Sequence, residues 1–151
     1  MMKRMRMALF VGFFAMITFA AQAQVVMRGD VNYWTYGSRL RVEVDDITNF
    51  SDQTTDRLRF VVWASEDPWE DYDRGRILGL TALPRLGAHQ NWDNAHRTMR
   101  LYRPPTGWYY VTVTLAERTV DENGKVRWEI RDKAELGQHY FSRSPFPGFP
   151  F

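Results

Sequence analysis

Tyr109-Tyr110-Val111-Thr112-Val113-Thr114-Leu115-Ala116 is the stretch that decides the fold. Apolar Tyr109, Val111, Val113 and Leu115 alternate with Tyr110, Thr112, Thr114 and Ala116. A period of two is the mark of a β-strand with one buried face. The strand starts where Pro104-Pro105-Thr106-Gly107 ends whatever precedes it. Downstream, Asp121-Glu122-Asn123-Gly124 is a hairpin signal. Asn123 and Gly124 tolerate the positive φ angles of a type I′ turn, so the chain should reverse there. Val126, Trp128 and Ile130 alternate on the returning strand.

The same period recurs upstream. Leu58, Phe60, Val62 and Ala64 share one face of a strand, with Arg57, Arg59, Val61 and Trp63 on the other. Leu40, Val42 and Val44 alternate with Arg39, Arg41, Glu43 and Asp45. Val25–Met27 and Val31–Tyr36 are β-prone runs split by Gly29-Asp30, and Gly37-Ser38 is a turn. Arg76–Leu83 and His96–Tyr102 add two more strands, with Pro84–Asn94 as a connection. Asp132–Gly137 is expected to form one helical turn. Many short strands without a long helical period predict an all-β domain. The expected fold is an immunoglobulin-like antiparallel β-sandwich of about 7–9 strands over residues 24–142. A Phe/Pro-rich tail, 143–151, follows.

The first residues read as an address. Lys3, Arg4 and Arg6 precede an apolar run of 13 residues, Ala8 through Ala20, and Ala21-Gln22-Ala23 supplies small residues for cleavage. That order predicts a signal-peptide helix over 1–23, cut after Ala23. A permanent anchor would need about 20 apolar residues. The expected location is the periplasm or the exterior, with no permanent membrane anchor after cleavage. Removing the leader takes 3 of 20 basic residues and leaves 17 against 18 acidic ones. The chain's basicity thus belongs mostly to the leader, which argues against nucleic acid as a partner. There is no cysteine. The 151 − 23 = 128 residues of the processed chain are held by their core alone. Exported bacterial proteins commonly live that way.

Several segments together resemble the CARDB-like and related immunoglobulin-like modules of exported bacterial proteins. They are Ile47-Thr48-Asn49-Phe50-Ser51, Leu58-Arg59-Phe60-Val61-Val62-Trp63-Ala64, Ile77-Leu78-Gly79, Leu83, Leu86-Gly87 and Pro104-Pro105-Thr106-Gly107-Trp108-Tyr109-Tyr110-Val111. The resemblance runs from about Arg39 to Glu117. It implies a β-sandwich used for adhesion, spacing or binding, without catalysis. Tyr109, two residues after Gly107 at the head of a strand, suits a tyrosine corner.

Candidate binding residues are aromatic. Trp63 and Tyr110 fall on outward strand faces, and Trp69 and Trp92 fall in expected loops. Such rings would contact a protein or a glycan. The acidic loop Glu66-Asp67-Pro68-Trp69-Glu70-Asp71-Tyr72-Asp73 offers Asp67, Asp71 and Asp73 as calcium candidates, although it lacks the regular spacing of a calcium loop. His89, His96 and His139 lack a zinc spacing, and no nucleophile elbow or phosphate loop is present. No cofactor and no catalytic residue is expected. The expected function is therefore a protein-interaction or adhesion-type module. The alternative is an accessory domain binding carbohydrate or Ca²⁺. Asn49-Phe50-Ser51 is a glycosylation sequon, which matters only in a host that modifies such sites.

Overall fold

The computed structural model describes residues 24–71 and 73–143. The expected leader and nearly all of the expected tail lie outside these residues. Seven strands run in order, with no helix among the described residues: β1 (Val25–Tyr36), β2 (Arg39–Asn49), β3 (Leu58–Ser65), β4 (Arg76–Leu83), β5 (Asn91–Arg100), β6 (Gly107–Val120) and β7 (Val126–Phe141). They form two antiparallel sheets, β1-β2-β5 and β4-β3-β6-β7. This is the expected immunoglobulin-like sandwich. Its fourth strand pairs with β3, whereas in the constant-type arrangement that strand joins the sheet of the first two.

The alternation in sequence sets which side chains meet between the sheets. Leu40, Val42, Val44 and Ile47 from β2 face Phe60 and Val62 from β3 and Val111, Val113 and Leu115 from β6, all essentially solvent-free. β6 is buried on its other face as well, through Thr112, Thr114 and Ala116. Tyr109 is buried, with its ring edge-on to Phe141 at 6.0 Å.

Four local expectations need correction. Val25–Met27 and Val31–Tyr36 are one strand, carried past Gly29-Asp30 by a bulge. Gly29 takes φ 73° there, and Asp45 Oδ2 accepts the Asp30 amide at 2.9 Å, which satisfies the displaced backbone. Residues 91–94, expected in the connection, belong to β5, which pairs with β2 as far as Thr48. Asp132–Gly137 is strand within β7, because its partner β6 runs alongside and fixes its backbone. At Asn123-Gly124 the chain reverses, but only Gly124 has positive φ, 76°. The Gly124 amide donates to the Asp121 carbonyl at 2.9 Å, and Asp121 and Lys125 close the ladder. That is a type I turn followed by a left-handed glycine, not a type I′ turn.

No helix among the described residues is long and apolar enough to cross a membrane.

Candidate functional site

The four aromatics expected to project from the surface are held inward to different degrees. Trp63 leaves the outer face of β3, but its Nε1 donates to Thr114 Oγ1 at 2.9 Å and its ring is half-buried. Trp69 covers it edge-on, with centroids 6.0 Å apart. Trp69 is itself only 9% exposed, which corrects its expected exposure. Its Nε1 donates to Asp71 Oδ1 at 3.1 Å, and Lys133 Nζ lies 5.7 Å from its ring. The loop after β3 therefore folds back onto the outer face of its own sheet. Beside this pair, Arg59 stacks on Trp128 with Cζ 4.1 Å from the ring centroid. Burial pulls the Arg59 pKa below its ordinary value. Its Nε is buried without a hydrogen-bond partner among the described residues, and the aromatic face offers the main compensation. Trp92 is half-buried on β5 and packs on the core, and Tyr110 is half-buried on β6.

The acidic loop does not form a cation cage. Asp71 receives the Trp69 indole, its carbonyl receives Arg74 Nε at 2.8 Å, and Asp73 Oδ1 turns back to the Gly75 amide. Asp67 offers its carbonyl to Ser65 Oγ. Among the described residues, no three His, Cys, Asp or Glu side chains converge as metal ligands. The loop instead walls a cleft of about 360 Å³ that reaches Tyr109. The Tyr109 hydroxyl makes no hydrogen bond among the described residues, so the backbone bond that defines a tyrosine corner is missing there.

The histidines have separate partners. His89 Nε2 lies 2.6 Å from Asp52 Oδ1, His96 Nδ1 lies 3.1 Å from the Asn94 carbonyl, and His139 packs edge-on against Tyr33. Asn49, the sequon residue, is fully buried. Its Nδ2 faces the carbonyls of Gln53, Leu86 and Gly87 at 2.7, 3.2 and 3.0 Å, and its Oδ1 accepts the Ser51 amide and hydroxyl. In the fold this amide ties two connections together and is closed to a glycan.

Two exposed aromatic pairs escaped the sequence reading. Trp34 and Tyr36 stand on the outer face of β1, 46% and 49% exposed. Trp34 is registered opposite Arg41, and Arg41 pairs with Glu43 at 2.6 Å, so charged donors and acceptors border the rings. Together with Thr35 they line a shallow groove of about 480 Å³. The second pair, Trp108 and Tyr140, lies across the β6–β7 ladder with centroids 5.4 Å apart. The signal for the first was available: Val31 and Tyr33 alternate with Asn32, Trp34 and Tyr36. Only the pairing with β2 shows which set faces the core.

No family model matches the chain, and no curated protein matches it. Among solved structures it is similar to two crystal structures of a beta-glucosidase from Kluyveromyces marxianus. The glucose complex is 10% identical with a TM-score of 0.40, and a selenomethionine-labelled crystal is 11% identical with a TM-score of 0.42. Both cover 80% of this chain, which spans 14% and 15% of those enzyme chains. Likeness at that level assigns no activity.

Proposed function

We propose that the chain is an exported, non-catalytic β-sandwich of bacterial type, acting in the periplasm or outside the cell as a protein-interaction or adhesion-type module. The leader-like first 23 residues and the resemblance to extracytoplasmic modules support export. The observation that carries the binding role is Trp34 and Tyr36, two large rings about half exposed on a regular strand. Such rings lose nothing by being covered, and rigid aromatics anchor interfaces at low entropic cost. The test is a binding screen of the purified protein against the exported proteins of its source. Trp34→Ala/Tyr36→Ala should weaken the interaction at least tenfold, about 1.4 kcal/mol. The melting temperature of this double variant should stay within about 3 °C of the parent. Turnover in an activity screen without any binding partner would overturn the reading.

A glycan is the second reading, favoured by one observation. The Arg41–Glu43 pair sets hydrogen-bond donors and acceptors beside an aromatic plane while cancelling its own charge. Calorimetry with a panel of neutral oligosaccharides separates the two. Heat that vanishes in Trp34→Ala selects the glycan, and silence across the panel removes it.

A further inference from the structure

Each sheet ends in two edge strands, and each of the four carries a bulge or charges that oppose pairing. β1 carries the Gly29-Asp30 bulge, β5 carries Asp93, Arg97 and Arg100, and β7 is charged through most of its length. Bulges and charges are the usual means of blocking strand addition. β4 has a bulge too, at Leu78, but past it Gly79-Leu80-Thr81-Ala82-Leu83 pairs regularly with β3 and contains no charge and no proline.

The outward backbone of residues 80–82 is free. The Arg57 carbonyl accepts from the Arg118 amide, and the Val61 carbonyl accepts Thr114 Oγ1 at 3.2 Å. The odd-numbered residues of β3 therefore aim their backbone groups at β6. Their partners on β4 are Leu80, opposite Val61, and Ala82, opposite Arg59. In an antiparallel ladder these two residues must point their N–H and C=O away from β3. Neither has a further backbone partner among the described residues. The side chains are equally open, Leu80 being 46% and Ile77 36% exposed.

We propose that β4 pairs with β4 of a second copy of this chain, antiparallel about a two-fold axis at Thr81, placing Leu80 opposite Ala82 of the other copy. The pattern is self-complementary. Thr81 meets its own mate, and Thr–Thr and apolar pairs across strands are favourable. The pairing also ends where it should. One step out, Leu78 would meet Pro84, which has no N–H, and the Leu78 carbonyl is already satisfied by the Tyr102 amide at 2.7 Å. Charge selects a second copy over an arbitrary strand. One end of β4 follows the acidic loop, where Glu66, Asp67, Glu70, Asp71 and Asp73 outnumber Arg74 and Arg76; the other runs into Arg85, where Arg57, Arg85 and Arg118 outnumber Asp56, the partner of Arg85 and Arg118. A two-fold axis sets the acidic end of each copy against the basic end of the other.

Sedimentation equilibrium of the purified protein tests this. The expected result is a reversible dimer. Leu80→Lys and Ala82→Lys, both on the outer face, should weaken it at least tenfold with the β-sheet circular dichroism unchanged. Because the chain has no cysteine, register can be read directly. Thr81→Cys and its mate would form a non-hydrogen-bonded pair about 4.5 Å apart at Cα, within disulfide reach. Oxidation should crosslink Thr81→Cys much faster than Ile77→Cys. A wild-type monomer at the highest attainable concentration overturns the proposal and leaves the edge to a strand of another protein. A dimer indifferent to Leu80→Lys, or equal crosslinking of the two cysteine variants, overturns it too.

Discussion

Asn49 is a single amide that organises two connections. Its partners are backbone groups at Gln53, Leu86 and Gly87, all of which would lose a donor in Asn49→Ala. Each of these carbonyls keeps a second donor, from Ser51 Oγ, the Thr55 amide and the Gln90 amide, so the loss is the net worth of several hydrogen bonds, about 0.5–1.5 kcal/mol each. We expect Asn49→Ala to lose about 2–3 kcal/mol in urea unfolding. Gly75 is a second such point. It takes φ 76°, and a Cβ there would strike the Ala64 carbonyl oxygen. Gly75→Ala should cost about 1–3 kcal/mol and disturb the cleft beside Tyr109. Asp56 carries the pH dependence. The Arg57 amide in the first place, and Arg85 and Arg118 nearby, hold its carboxyl below its usual value near 3.8. A carboxylate with a depressed folded pKa contributes stability above the unfolded pKa and loses it as pH falls through the folded one. Asp56→Asn should therefore flatten the decline of melting temperature below about pH 4 and leave its pH dependence near neutrality unchanged. None of these roles was legible in the sequence. Asn49 stood out there only as part of a sequon, because its carbonyl partners at Leu86 and Gly87 arrive from a distant connection.

At the scale of elements, alternation revealed which side chains of β2, β3 and β6 face the core, because one face of each is buried by the opposite sheet. It could not reveal what covers the other face. Trp63 and Trp69 looked like surface residues, yet the loop after β3 brings one onto the other. Trp69→Ala should release that loop, expose Trp63 and cost about 2–4 kcal/mol. The checks are a red shift of tryptophan emission and faster proteolysis between Ser65 and Gly75. β7 was misjudged at Asp132–Gly137 for a related reason: its local sequence is weakly β-prone, and pairing with β6 overrides it.

The two-sheet architecture was the most legible feature, because seven strands without a helix among the described residues leave few ways to bury alternating faces. The surface was the least legible, since an exposed ring and a covered one have the same letter. The order β4-β3-β6-β7 also governs when the molecule can close. Its middle ladder sets Leu58 against Glu117 and Ser65 against Tyr110. A polypeptide emerging N-terminus first would have to wait for β6 before that ladder could form. Until then the preceding strands would lack their main support. Such late closure leaves the earlier strands open to mispairing and proteolysis until β6 has been made.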